Sequence, residues 1–270
     1  MPELMRHVLA ATAVQLPGRY HVLRLGADPV GYVLSDIAAA LLAAGCARHD
    51  DDVVAPDAPA LARAEQTLAE AGLLQLRGER FDVRAAPGGP VLAQVDRGTL
   101  PRFGIAAEGV HVNGLVRTAS GLHLWIARRA TTKLLDPGKL DHIVAGGICA
   151  GMDAAGTLVK EAQEEAAIPP ELARTARFGG IISYAMERAE GLRRDRLYCY
   201  DLELPDDFHP TPHDGEVESF ERLPLPDVLA RVRETDDFKF NVNLVLIQLF
   251  GRLGLLARGS FGDAGLRIGV

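Results

Sequence analysis

Apolar and polar positions change their rhythm about a third of the way along the chain. Over the first 86 residues apolar side chains recur mostly at helical spacing, and after residue 103 they mostly alternate. The opening stretch predicts an amphipathic helix, its apolar run broken by Arg6, His7 and Gln15. Ser35 and Asp36 can cap a second helix over residues 37–42, which Gly45 ends. A third helix is expected over residues 59–70 and stops near Gly72. Residues 73–76 and 80–84 flank Gly78-Glu79 and predict a β-hairpin. The turn-rich Pro87-Gly88-Gly89-Pro90 follows. Residues 109–117 and 121–127 then form a second expected hairpin around Ser120-Gly121. A loop with Pro137-Gly138 leads to a short strand at 142–145, the pair Gly146-Gly147 and a helix. Strands at 179–187 and 197–204 and helices at 227–233 and 241–253 complete the chain. The expected fold class is α+β. A small α+β accessory domain occupies residues 1–104, and a larger domain occupies 105–270.

Helix, helix and hairpin are also the outline of a winged helix, so a DNA-binding first domain has to be weighed. That segment holds no lysine and its arginines are roughly balanced by acids, while the whole chain carries a formal charge of −7. Duplex binding needs a basic face, so nucleic acid is not an expected partner. The run His49-Asp50-Asp51-Asp52 reads as a solvated loop. Hydrophobic residues make up 48% of the chain, enough for a proper core, yet nowhere do 18 run together, so no membrane span is expected. Cys46, Cys149 and Cys199 lie far apart and form no CxxC pair. That argues against a zinc knuckle or a disulfide scaffold and fits a reducing cytoplasm.

The chemistry concentrates in residues 146–168, GGICAGMDAAGTLVKEAQEEAAI. Helical geometry places Glu161 and Glu165 on one face at i, i+4, with Glu164 beside them. Carboxylates this close repel one another by a few tenths of a kcal/mol per pair, roughly. A solvated acidic face tolerates that, with Lys160 as ordinary surface. The context favours a site instead: a glycine pair ends a strand, a glycine-containing loop follows, and Leu158, Val159, Ala162 and Ala166 give the helix an inward face. Oxygen-only ligands suit Mg²⁺ or Mn²⁺.

These residues resemble the Nudix box, G-x5-E-x7-R-E-U-x-E-E-x-G-U with U aliphatic. Gly146 takes the first glycine, Ala162 the small aliphatic place and Ile168 the last, in register over all 23 positions. The resemblance implies that Glu161, Glu164 and Glu165 hold divalent metal, with the Gly147 carbonyl completing the set, and that residues 105–270 form a Nudix α/β/α sandwich with a mixed sheet. Met152 stands in place of the first glutamate, Lys160 in place of the arginine and Ala167 in place of the late glycine. The first two are chiefly bracing positions in the family, so their loss implies a rewired brace. The chain is also similar, over nearly its whole length, to Nudix proteins with an N-terminal domain of uncharacterised function, related to the region fused to thiamine pyrophosphokinase in fungi. Segments carrying that likeness include Pro29-Val30-Gly31-Tyr32, the stretch from Trp125 to Lys133, Pro137 to Asp141, and Asp214-Gly215-Glu216-Val217-Glu218. It implies hydrolysis of thiamine diphosphate-like compounds, notably oxo- and oxythiamine diphosphate, to the monophosphate and phosphate.

Other roles follow from position. Glu216 and Glu218 lie where Nudix enzymes often keep an extra catalytic or metal-binding glutamate, and a solvated loop explains them equally well. Arg128, Arg129 and Lys133 could steady the diphosphate. Arg193, Arg194 and Arg196 read as a surface cluster. Tyr184, with Trp125 and Tyr198, could stack on a planar heterocycle, although alternating aromatics are more often core. His111, His142, His209 and His213 show no metal-ligand spacing, and Cys149 reads as a small buried residue. Two further readings stay open: a Nudix pyrophosphatase acting on ADP-ribose, a dinucleotide or another nucleotide, and a non-hydrolytic Nudix sensor. A homodimer is compatible with each.

Overall fold

A computed structural model describes residues 2–256. Helix α1 (Pro2–Thr12) leads into strands β1 (His21–Leu25) and β2 (Asp28–Val33), helix α2 (Ser35–Ala43), strands β3 (Ala47–His49) and β4 (Asp52–Ala55), and helix α3 (Ala58–Glu70). The four strands form a small sheet in the order β2-β1-β4-β3, with β1 and β4 parallel. Val33, Leu23 and Val53 of this sheet meet Ile37 and Leu41 of α2 and Leu61 and Leu68 of α3 in one buried cluster. Asp57 caps α3 by accepting the Ala60 amide at 2.7 Å, and Pro59 sits in its first turn, where a missing N–H costs nothing.

Strand β5 (Arg80–Val83) does not pair with residues 73–76, as the sequence predicts, but antiparallel with β6 (Ala93–Asp96). Of the earlier segment Leu73 and Leu76 are exposed and only Leu74 enters the core, so alternation there had no sheet face to serve. The short α4 (Leu100–Phe103) closes this unit.

The second unit begins with β7 (Ala106–Thr118) and β8 (Gly121–Arg129), the expected hairpin. Then come β9 (Leu140–His142), β10 (Val144–Gly147), α5 (Ala154–Ala166), α6 (Pro170–Ala173), β11 (Arg177–Arg188), β12 (Gly191–Glu203), β13 (Val217–Pro224), α7 (Leu225–Glu234) and α8 (Phe240–Arg252). The main path of the sheet runs β11-β12-β7-β8-β13, with β10 on β7 and β9 on β8. Only β7 and β12 run parallel, so the sheet is mixed. Both of its faces are covered, which explains why β7 is buried almost continuously from Gly109 to Val116. On one face Leu158, Ala162 and Ala166 of α5 pack on Val112, Val116 and Ile143. On the other, Val228 and Val232 of α7 and Leu246, Ile247 and Phe250 of α8 cover Leu115, Leu124 and Ile126. The unit is therefore an α/β/α sandwich. Helix α1, although first in the chain, packs on β11, α7 and α8 of this second unit through Leu4 and Ala11. Among the described residues no helix is long and apolar enough to cross a membrane.

Candidate active site

Strand β10 and helix α5 face each other across the loop between them, and the carboxylates of α5 point back at the strand. Asp153 caps the helix by accepting the Gly156 amide at 2.7 Å. About two turns further on, Glu161 lies directly against the backbone of Gly146, so close that a β-carbon there would overlap it. Glu165 is 7% exposed and accepts the Ala145 amide at 2.8 Å. Glu164 points outward, and Lys160 bridges it to Glu161 at 2.6 and 3.0 Å. Lys160 thus braces carboxylates on its own helix and not the loop.

The chain segment entering β13 completes the cluster. Carboxylate oxygens of Glu165, Asp214 and Glu216 all lie within 4.8 Å of one another. Burial pushes Glu165 well above the usual carboxylate range, and it also raises Glu161. Burial acts the same way on Glu216, but the Lys133 ammonium, ion-paired with it, more than offsets this and leaves Glu216 below its ordinary value. Crowded, partly desolvated carboxylates of this kind are relieved by a cation. The all-oxygen donor set of Glu165, Asp214 and Glu216, with Glu161 and Gly147 lining the adjoining cleft, fits a hard divalent ion such as Mg²⁺.

This cluster opens onto a cleft of about 620 Å³ walled by both units. Phe81 and Arg97 line it from the first unit, Gly147, Lys160 and Glu161 from the second. The units are fastened together at the box loop itself. The Ala150 amide donates to the Arg80 carbonyl at 2.8 Å. The Phe81 ring covers Gly147 so tightly that a β-carbon there would lie 2.7 Å from it.

Of the residues singled out from sequence, Glu161, Glu164, Glu216, Lys133, Arg129 and Gly147 line the cleft, and Glu165 lies just behind it. Arg129 is not a free cation there. It is buried, pairs with Asp141 at 2.8 Å and donates to the Leu135 and Asp136 carbonyls, so it pins the 130–139 loop. Arg128 instead points outward on the opposite side of β8, donating to the Gly138 carbonyl. Glu218 is exposed at a bulge between β13 and β8 and lines no part of the cleft. Tyr184 cannot stack on a ligand: it is 1% exposed, donates to Asp195 and meets Phe240 edge-on.

Other side chains were not legible as site residues. Asp214 joins the cluster from a loop, where spacing carries no geometry. Arg193 and Arg194 line the cleft and are no surface cluster, because β12 runs parallel to β7 and delivers its first residues to the junction of the units. Arg77 and Arg97 enter from the first unit. His111 and His142 touch through their Nδ1 atoms at 2.9 Å beside Asp141. Asp141 is already paired with Arg129 and with Lys239 at 3.4 Å, which leaves little for a metal there.

The NUDIX domain family matches residues 108–243. Nudix hydrolase 20, chloroplastic, of Arabidopsis thaliana is 40% identical over 204 residues, 75% of this chain and 54% of that protein. Nudix hydrolase 24, chloroplastic, of the same plant is also 40% identical over 204 residues, 75% of this chain and 56% of that protein. The chain spans about half the length of these curated relatives. Among solved structures, DR0079 from Deinococcus radiodurans aligns with a TM-score of 0.46 at 22% identity, covering 63% of this chain and 98% of that one. With a domain match over half its length that includes the carboxylate helix, the chain belongs to the Nudix family.

Proposed function

We propose that the cleft catalyses metal-dependent hydrolysis of a diphosphate linkage. The observation that carries this reading is the convergence of Glu165, Asp214 and Glu216 within 4.8 Å, next to Glu161, at the end of a cleft lined with cations. Mg²⁺ or Mn²⁺ would be held by Glu161, Glu165 and Glu216 with Asp214, and Glu164 stands at the margin. A bound divalent ion supplies neutralisation of the phosphoryl charge and a water of lowered pKa. Glu216, paired with Lys133 and held below the ordinary carboxylate value, stays ionised at neutral pH, as a metal-holding carboxylate must. Lys133 and Lys160 stand beside these carboxylates and can engage the phosphoryl oxygens. Phe81 and the box loop exclude water from one side of the reacting centre.

For the substrate, we favour a thiamine diphosphate-like compound whose ring has been oxidised to a neutral form, cleaved to the monophosphate and phosphate. The cleft lining supports this on charge. Arg194 is largely desolvated, stacks over Tyr32 at 4.7 Å, donates to the Gly104 carbonyl at 3.0 Å and has no carboxylate partner among the described residues, and Arg77, Arg97 and Arg193 share the cleft with it. Arg97 and Arg193 are paired with Glu79 and Asp195, so the excess positive charge sits at Arg194 and Arg77, where it disfavours a cationic thiazolium relative to an uncharged oxidised ring. The volume also admits a nucleotide such as ADP-ribose. A panel of oxothiamine diphosphate, thiamine diphosphate and ADP-ribose with Mg²⁺, read by phosphate release, tests the reading. Oxothiamine diphosphate should be hydrolysed fastest. Preference for ADP-ribose would move the assignment to nucleotides, and no release from any of them would leave a non-hydrolytic sensor.

A further inference from the structure

The first unit contains a device that aims two arginines into the cleft. Asp96 is buried, 3% exposed, and its carboxylate accepts three backbone amides: Arg77 at 2.8 Å, Gly78 at 2.7 Å and Gly98 at 2.7 Å. It therefore staples the loop before β5 to the turn after β6. The staple is itself anchored, since the Asp96 amide donates to the buried Glu65 at 2.7 Å and Glu65 pairs with Arg80 at 2.7 Å. Gly98 is held against the Gln75 carbonyl where no β-carbon fits. Arg77 and Arg97, the residues flanking this knot, both line the cleft. Because β5 is fastened to the box loop through Arg80 and Phe81, their position relative to the carboxylate helix is fixed as well.

We propose that Arg77 and Arg97, with Arg193 of β12, form an anion subsite in which the accessory unit grips a phosphoryl group of the substrate. This rests on the diphosphate reading above. Arg97 pairs with Glu79 at 2.9 Å and Arg193 with Asp195 at 2.8 Å. The Arg77 guanidinium makes no ion pair or hydrogen bond among the described residues, although it stands by two like charges. Arg77 is exposed and lines the cleft, with Glu190 and Glu79 near it as well as the two arginines, so its guanidinium is open to an anionic ligand. Arg97, Glu161 and Glu216 line one and the same cleft, so the subsite is continuous with the carboxylates. Planar guanidiniums converging from two elements suit the tetrahedral oxygens of a phosphoryl group.

The test uses the full chain and inorganic pyrophosphate, titrated calorimetrically in EDTA so that metal binding plays no part. Wild type should bind, and the Arg77→Ala/Arg97→Ala double variant should bind at least about tenfold more weakly, as expected for lost charge-assisted hydrogen bonds. Arg77→Lys/Arg97→Lys should recover part of the loss, which a folding defect would not allow. Arg63→Ala, on the exposed face of α3, should match wild type. With Mg²⁺ and the hydrolysed diphosphate, the double alanine variant should show a raised KM and a nearly unchanged kcat. Unaltered pyrophosphate binding in the double variant, or no binding by wild type, overturns the subsite. An unchanged KM with altered inhibition by phosphate assigns it to the product and overturns the substrate grip. Should no diphosphate be hydrolysed at all, the functional reading fails while the calorimetric result still decides the subsite.

Discussion

The Glu165 carboxylate accepts a 2.8 Å hydrogen bond from the Ala145 amide, tying the metal-binding face of α5 to the strand that precedes the box loop. Glu165→Gln keeps an acceptor for that amide and removes the charge. Turnover of the diphosphate substrate should therefore fall by about two to three orders of magnitude, on the scale of losing a principal catalytic electrostatic group, with the thermal midpoint preserved. Phosphate release at saturating Mg²⁺ measures the first and circular dichroism the second. Turnover near wild type would remove Glu165 from the metal set.

Contact between Phe81 and Gly147 should be visible as coupling between the units. Gly147→Ala places a β-carbon 2.7 Å from the ring and should cost about 1–3 kcal/mol in the wild-type background. In a Phe81→Leu background the same change should cost distinctly less, because the obstructing ring is gone. Urea denaturation of the four proteins of the cycle measures the coupling. Purely additive costs would show that the ring does not restrict the loop.

Ala167 ends α5 in the left-handed conformation, φ 53°, at the position where the family pattern has glycine. A β-carbon there costs about 1–2 kcal/mol, and Ala167 is exposed, so its methyl group returns little by packing. Ala167→Gly should raise stability by about 1 kcal/mol, a few degrees in Tm for a domain of this size. A lowered Tm would contradict the strain.

Acid should destabilise the fold through its paired histidines. Burial pushes His142 down to about 4, and burial with the neighbouring His142 holds His111 well below its usual 6.5. Both are neutral in the folded chain, while the unfolded chain takes up protons from about pH 6.5 downward. Their contribution is thus complete above that value and is lost as pH falls towards 4. For His142 alone the loss between pH 7 and pH 5 should be about 2 kcal/mol. His142→Gln should flatten the stability-pH slope over that interval. An unchanged slope would mean that other groups set it.

What the sequence determined by itself was whatever a local period can encode. Helical spacing fixed that Glu161 and Glu165 share a face and that Leu158, Ala162 and Ala166 form the apolar stripe beside it, and alternation fixed the hairpin of β7 and β8. The same local signal failed at residues 73–76, where β5 found its partner thirteen residues downstream of its own start, in β6. Tertiary structure decided the rest. Asp214 and Glu216 meet Glu165 only because β13 pairs with β8 and carries their loop to α5. Arg129 became internal because Asp141 and two carbonyls absorb its guanidinium, while its neighbour Arg128 faces outward. Arg77, Arg97 and Arg193 share one cleft because a buried aspartate knots two loops and a parallel strand begins beside them. Those placements depend on sheet order and on long-range closure, for which the chain has no local periodicity. The carboxylate helix was therefore legible from its own residues, whereas the second wall of the cleft exists only once the two units have docked.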